Sequence, residues 1–215
     1  APGNPFVGEI DAKQSASGMG YIIGIDFKPS DGFNIGFRYE SKTVLDFKAD
    51  TSKNDFGALP QLSYLNDGET QRKDLPAVLG LGVAMNLTDD FMVTFSYAYF
   101  YIKEADAGDD DGYDEDYENG YDASFSLEYQ MTSSMLLSFG YMYSDTGASE
   151  DTVNDFDMTL DNSNYAFGVK YGLTEDFDIS VGYIISQYTE LEDADNYATY
   201  KKSVNTLGIG TNIKF

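Results

Sequence analysis

The stretch FMVTFSYAYFYI, residues 91–102, alternates between two kinds of side chain. Its odd-numbered positions, from Phe91 to Tyr101, carry only large apolar or aromatic residues. Its even-numbered positions include Thr94, Ser96 and Ala98, which are small. A period of two places successive side chains on opposite faces of an extended chain, so this stretch predicts a β-strand with one strongly apolar face.

The same alternation recurs along the chain and predicts nine strands in all. Short turns and long polar loops alternate between them, so the predicted sheet has tight turns at one end and long loops at the other. The strands are 20–27, 33–40, 79–85, 91–102, 124–131, 136–143, 165–172, 177–185 and 207–215. The turns lie at 29–32, 88–90, 132–134 and 174–176, and the loops at about 50–75, 103–120, 144–163 and 189–200.

The two faces of these strands indicate the class of protein. One face is almost entirely Leu, Ile, Val, Phe and Tyr, whereas the other is Gly, Ser, Ala, Thr and Asn with scattered single charges. An outer-membrane β-barrel has this pattern, because lipid covers its outside while its lumen is polar. The sequence therefore predicts an all-β, antiparallel transmembrane β-barrel. A soluble β-sandwich or a lipocalin-like barrel is the alternative.

Composition excludes several classes of function. The chain has 215 residues with 13 Lys and Arg against 37 Asp and Glu, a formal net charge of −24, and it contains no His, Cys or Trp. Disulfides, an ordinary zinc site and a Ser-His-Asp triad are therefore excluded. Nucleic-acid binding needs a basic surface, which this chain lacks. No run approaches the roughly 20 apolar residues of a membrane helix. We expect no enzyme activity, no cofactor and no nucleic-acid partner.

The domain organisation follows from the same pattern. Residues 1–17 are rich in Gly, Ser and Pro and are predicted to be irregular or part of a preceding strand, whereas residues 18–215 form the barrel strands and their acidic loops. Short turns of such barrels face the periplasm and long loops face outward. Bacterial single-chain barrels have even strand numbers, so nine strands suggest the C-terminal part of a longer barrel or a wall completed by other segments.

Three strings of sequence resemble one family. They are GMGYIIGIDFKPSDGFNIGFRYESKTVLDFK at 18–48, LPAVLGLGVAMNLTDD at 75–90 and LGIGTNIKF at 207–215. Together they resemble the FadL/TodX family of outer-membrane transporters for long-chain fatty acids and other hydrophobic compounds. The resemblance implies a 14-stranded barrel with an N-terminal hatch in the lumen, of which this chain would supply the last nine strands, without the hatch and the first five.

Side chains on the small-residue face are candidates for ligand binding. A fatty acid needs a cation or hydroxyl groups at one end and apolar walls elsewhere, and Arg38, Lys42 or Lys170 would supply the cation. The alternative is that these cations pair with Glu40, Asp26 or other neighbours and tie the barrel interior together. Apolar residues on the same face would line the path of the tail: Ile22, Met92, Phe100, Leu136, Met142 and Ile184.

The loop at 104–118 is a weaker candidate for metal binding. It holds nine acidic residues and no basic one, and hard cations prefer such oxygen ligands. Its spacing does not fit an EF-hand, so the hypothesis is a loose calcium or magnesium site that bridges to lipid headgroups; the alternative is a solvated acidic loop. The candidate ligands are Asp109, Asp111, Asp114 and Asp116.

The leading expectation is passive uptake of a hydrophobic small molecule, of the long-chain fatty acid or the aromatic and alkane type, across the bacterial outer membrane. The acidic loops repel carboxylate anions, which indicates either a neutral compound or a salty habitat. Two alternatives stay open. One is an acidic structural or interaction barrel whose loops bind divalent cations, outer-membrane lipid or lipopolysaccharide; the other is an aqueous porin.

Overall fold

The computed structural model describes residues 8–106, 117–149, 152, 158–193 and 198–214. This part of the chain is almost entirely antiparallel β-structure, and none of its helices is long and apolar enough to span a membrane. Its two helices are short 3-10 turns, Pro60–Leu65 and Ile102–Glu104. The strands are β1 (Ile10–Ser15), β2 (Ile22–Ser30), β3 (Phe33–Glu40), β4 (Asp46–Asn54), β5 (Thr70–Arg72), β6 (Ala77–Asn86), β7 (Phe91–Tyr101), β8 (Gly120–Thr132), β9 (Met135–Asp145), β10 (Asn162–Gly172), β11 (Phe177–Tyr188), β12 (Leu191–Asp193), β13 (Ala198–Tyr200) and β14 (Ser203–Ile213).

Nine of the strands form one sheet, in the order β14-β11-β10-β9-β8-β7-β6-β3-β2. Strands that follow one another in the chain lie side by side once β1, β4, β5, β12 and β13 are set apart. This up-and-down arrangement is that of a barrel wall. The fold class and the nine strands expected from period-two alternation are confirmed. Both terminal strands of the sheet, β2 and β14, are exposed along almost their whole length.

Three of the four short turns share one local design. In each, a Thr side chain accepts a hydrogen bond from the backbone N–H two residues later: Thr88 from Asp90, Thr132 from Ser134 and Thr174 from Asp176, all at 3.3 Å. Such hydroxyl-closed turns are a common use of Thr between strands. The fourth turn ends at Gly32, whose φ of +79° favours glycine.

The short turns are also hydrogen-bonded to their neighbours. The carbonyl oxygens of Gly32, Asp90, Ser134 and Asp176 each accept a backbone N–H from the adjacent hairpin, at 2.7 to 2.9 Å. The donors are Asn86, Gln130, Gly172 and Lys214. The short-turn end of the sheet is therefore a continuous hydrogen-bonded rim, here called the turn rim.

At the opposite end, a small sheet extends the hairpin of β2 and β3. Strand β4 lies between β1 and β5, and residues 60–65 form a 3-10 helix between β4 and β5. We call β1, β4, β5 and this helix the arm. Residues 10–15 thus form a strand, and the segment predicted as a loop at about 50–75 contains ordered structure of its own.

The apolar face of the nine-stranded sheet is covered by large exposed side chains. Ile209 is 72% exposed and Phe27 is 59% exposed. Exposing apolar side chains to this extent is unfavourable in water but not in lipid. Aromatic rings pack across neighbouring strands on this face, with centroid distances of 5.8 Å for Phe125 and Phe139 and 5.3 Å for Phe139 and Phe167. Such cross-strand pairs stabilise the sheet. This face is the one that contacts lipid.

Candidate binding groove

The opposite face of the sheet is hollow because its side chains are small. The strand register places Gly36, Gly82, Ser96, Ser124 and Met142 side by side on five neighbouring strands. A Cβ added at Gly36 would meet no atom within 4 Å, so neither packing nor backbone conformation requires glycine there. Small residues leave the backbone wall open to another molecule.

One hollow, here called the main groove, has a volume of about 660 Å³, within the range of small-molecule sites. It crosses β2, β3, β6, β7, β8 and β9. Ile22 and Met142 supply apolar surface, while Asp26, Arg38 and Asp122 supply charge. Between them the floor consists of small residues: Gly24, Gly36, Gly80, Gly82, Ser96, Ala98 and Ser124.

Three smaller hollows of about 320, 400 and 380 Å³ continue from the main groove across the sheet. The second hollow, of about 320 Å³, shares Met142, Ser96 and Ser124 with the main groove. It shares Ile184 with the third hollow, of about 400 Å³. The last hollow is lined by Leu136 and Lys170, near the short-turn end. The four hollows therefore form one path along the wall, with Met142 and Ile184 as large apolar side chains beside it.

Two cations that line the hollows, Arg38 and Lys170, are held in ion pairs. Arg38 Nη2 lies 2.6 Å from Glu40 Oε1, and Lys170 Nζ lies 3.2 Å from Asp178 Oδ2. Asn212 Nδ2 also donates to Asp178 Oδ2, at 3.2 Å. Each of these two cations therefore already has a carboxylate partner before any anionic ligand binds.

Lys42 follows the end of β3, at the long-loop end of the sheet. It forms a cluster with Arg72, Asp74 and Asp106, here called the Asp74 cluster. The Asp74 side chain has no exposed surface. It accepts hydrogen bonds from Arg72 Nε and Nη2, both at 2.9 Å, and its Oδ2 lies 3.5 Å from Lys42 Nζ. Lys42 also donates to the carbonyl oxygen of Glu104 at 2.7 Å. The cluster thus joins the base of the arm to the loop that follows β7.

Arg72 sets the charge state of Asp74. Its hydrogen bonds hold the pKa of the Asp74 carboxyl below the ordinary value, and backbone N–H groups of Asp106 and Leu45 act in the same direction against burial. The same contact raises the pKa of Arg72. The pair is therefore fully ionised at neutral pH.

Three carboxylates on the groove face are left without an ion pair to any residue that the structure describes. Asp26 and Asp122 line the main groove, and Glu128 lines the third hollow. Among the residues that line the four hollows, these three acids outnumber the two cations, Arg38 and Lys170, so the path carries a net negative charge.

The structure brings together six of the nine residues predicted to bind ligand. Ile22, Arg38 and Met142 line the main groove, and Ile184, Leu136 and Lys170 line its continuation. Met92 and Phe100 lie on the same face, beside Glu128 and Gly120 respectively, but outside the four hollows. The proposed metal ligands Asp109, Asp111, Asp114 and Asp116 lie outside the described residues. Within the described ones, no three acidic side chains come together as a metal site.

Asp122 is the groove residue that the sequence pattern missed. The alternation on this strand places Tyr121 and Phe125 on the lipid face, but Ala123 lies between them and interrupts the large apolar series. The predicted strand therefore began at residue 124, whereas β8 begins at Gly120. Continuing the alternation from Ser124 toward the N-terminus, through Ala123, places Asp122 on the groove face.

An antiparallel up-and-down sheet with an aromatic lipid face and a small-residue lumen face defines the wall of an outer-membrane β-barrel. The family comparison agrees. Residues 8–215 match the family described as outer membrane protein transport protein (OMPP1/FadL/TodX), and the chain belongs to that family. Its strands accordingly lie in the bacterial outer membrane. No curated protein matches the chain.

Solved structures of this fold share it at low sequence identity. A FadL homologue of Pseudomonas aeruginosa matches with a TM-score of 0.60 and 16% identity, covering 89% of this chain and 50% of its own. The Pseudomonas putida toluene transporter TodX matches at 0.56 and 16%, covering 93% and 50%. The CymD monoaromatic hydrocarbon channel matches at 0.54 and 13%, covering 94% and 56%. The chain thus spans about half the length of these structures.

Proposed function

We propose that this chain forms part of the wall of a channel through which small, neutral hydrophobic molecules cross the outer membrane passively. The observation that carries the proposal is the continuous path along the groove face, from the main groove to the hollow beside Lys170. Transport of this kind requires graded, weak binding and no covalent chemistry, so we assign the chain no catalytic residues.

The shape of the path supports a hydrophobic cargo. Glycine, alanine and serine give the wall a smooth surface against which an apolar molecule can slide, while Met142, Ile184 and Leu136 supply apolar contacts along it. Two proteins of similar structure, a toluene transporter and a monoaromatic hydrocarbon channel, are consistent with such a cargo. An aqueous porin would need no apolar side chains beside its path.

The charges of the path support a neutral cargo rather than a fatty-acid anion. Arg38 is paired with Glu40 and Lys170 with Asp178, and the charged residues that line the four hollows without an ion pair to a described residue are the acids Asp26, Asp122 and Glu128. A free carboxylate would meet repulsion along this wall and would compete with Glu40 or Asp178 for the cation.

Uptake by intact cells tests the proposal. We would produce the full-length protein in a Gram-negative host that lacks its own hydrophobe channels, and measure entry of radiolabelled toluene and of octanoate. Gly36→Leu fills the main groove, because no atom lies within 4 Å of its Cβ position. Thr211→Leu is the matched control, since it adds the same side chain on the lipid face of β14.

The expected result is protein-dependent toluene entry that Gly36→Leu reduces at least severalfold and Thr211→Leu leaves unchanged. Faster entry of octanoate than of toluene would point to the fatty-acid alternative. A large, steady ion conductance of the protein in planar bilayers would contradict the proposal and indicate an aqueous porin.

A further inference from the structure

The main groove contains a carboxylate that the proposed function does not use. Asp122 is half-buried on β8 and lines the groove, and it forms no hydrogen bond or ion pair with the residues that the structure describes. An unpaired charge beside an apolar hollow is costly unless a ligand or water satisfies it. The surroundings of Asp122 show which ligand would do so.

The strand register surrounds Asp122 with oxygen acceptors and small residues. Ala98 and Ser144 lie directly opposite it on β7 and β9. Ser124 lies two positions after Asp122 on β8, and its own cross-strand neighbours are Ser96 and Met142. The serine hydroxyls can accept hydrogen bonds, as can the carboxylate. This corner of the groove therefore offers one negative charge, several acceptors and an adjacent apolar surface.

The nearest cation along the same row is too far away and already occupied. Arg38 and Asp122 lie in one cross-strand row, separated by Gly80 and Ala98. At about 4.8 Å between strands, their backbones are roughly 14 Å apart. Arg38 is closed by Glu40 at 2.6 Å. The second unpaired acid of the groove, Asp26, adds to the negative charge at the far side.

We propose that the main groove binds hydrophobic molecules that carry a protonated amine, with Asp122 as the residue that accepts the ammonium group. The inference rests on the proposed function and names a substrate class for the same path. An ammonium has three N–H donors and no acceptor, which suits a carboxylate flanked by Ser124 and Ser144. The apolar part of such a molecule lies against Met142 and the glycine floor. A carboxylate ligand of the same size finds no unpaired cation in this corner.

Equilibrium dialysis of the full-length protein in detergent tests the inference. Protein-free micelles give the blank. The probes share one phenyl ring and a two-carbon chain: 2-phenylethylamine, ethylbenzene and phenylacetate. Asp122→Asn removes the charge and keeps the shape, and Asp122→Glu keeps the charge. Glu175→Gln is the matched control, because Glu175 is an exposed acid in a short turn outside the groove.

The wild-type protein should bind the amine more tightly than ethylbenzene, and phenylacetate most weakly. Asp122→Asn should weaken amine binding about tenfold, as expected for a lost hydrogen bond to a charged group, and leave ethylbenzene unchanged. Asp122→Glu should retain the preference, and Glu175→Gln should change nothing. An amine affinity that Asp122→Asn does not alter, or phenylacetate binding equal to that of the amine, overturns the inference. Ethylbenzene binding without amine preference overturns it too but leaves the proposed function standing, whereas the absence of ethylbenzene binding counts against the proposed function itself.

Discussion

Replacing Asp74 by asparagine should loosen the arm and leave the nine-stranded sheet intact. Asp74 is the acceptor at the centre of its cluster, with both carboxylate oxygens bound by Arg72 at 2.9 Å and Oδ2 3.5 Å from Lys42. Backbone N–H groups of Leu45 and Asp106 also donate to it, each at 3.4 Å. Asparagine keeps the size of the side chain but removes its charge and one of its two acceptor oxygens.

The magnitude follows from the exposure of the partners. Leaving a buried polar group without its partner costs about 1–3 kcal/mol. Arg72 and Lys42 are 41% and 37% exposed, so water replaces part of what they lose. We therefore expect Asp74→Asn to destabilise the arm locally by about 1–2 kcal/mol, which corresponds to about 5- to 30-fold more frequent opening.

Hydrogen exchange of the full-length protein in detergent, followed by mass spectrometry, measures this opening. Peptides from residues 43–54 and 69–76 should exchange faster by that factor in Asp74→Asn, while peptides from β9 should not change. Asp50→Asn is the control, because Asp50 is an exposed acid on β4 of the same arm. Equal exchange of the arm in both variants and the wild type would refute the role given to Asp74, as would faster exchange spread over the barrel strands.

Three further results are expected. The pKa of Asp74 is lowered from its ordinary 3.8, so the stability that the cluster gives the arm is present above that pH and is lost as the pH falls through the folded-state value. Beyond the pH dependence of pepsin itself, the arm of the wild type should therefore be cleaved faster as the pH drops below about 4. Asp74→Asn should show no such additional step. Phe139→Ala removes ring contacts with Phe125 and Phe167, whose centroids lie at 5.8 and 5.3 Å. It should lower the free energy of unfolding in urea by about 1–2 kcal/mol without changing ligand binding. A change in binding at unchanged stability would contradict the assignment of Phe139 to the lipid face. Met142→Ala opens the junction between two hollows, so dialysis should show tighter binding of a bulkier hydrophobe, such as naphthalene, relative to toluene, and an unchanged ratio would argue against Met142 as a boundary.

The strands of the wall were predictable because each has one lipid face and one lumen face. That requirement puts period-two alternation into the sequence itself, as in residues 91–102, and the turns are marked by Thr and Gly at fixed places. The arm was not predictable in the same way. Strands β1 and β4 lie outside the membrane with polar residues on both faces, so residues 10–15 and 46–54 show no apolar series.

The groove face was also predictable in outline, whereas its ion pairs were only partly so. Arg38 and Glu40 are two residues apart on one strand, and period two alone places them on the same face. The contact between Lys42 and Asp74 joins residues 32 positions apart, and it depends on how the arm returns to the sheet between β5 and β6. No local pattern specifies that return path.

The turn rim has a consequence for how the wall moves. Its four inter-hairpin hydrogen bonds lie at one end of the sheet only, and each fixes one hairpin against the next at the point where the chain reverses. A slip of any hairpin along its neighbour would break the rim bond together with the ladder, so the turn rim opposes sliding between neighbouring hairpins. At the long-loop end the strands continue into the arm and the loops, which are joined both by backbone hydrogen bonds, such as that from Asp74 N–H to the Asp106 carbonyl oxygen at 2.6 Å, and by the side chains of the Asp74 cluster. The register of the short-turn end therefore depends on backbone bonds that most substitutions leave intact, whereas the long-loop end also depends on the identity of charged side chains.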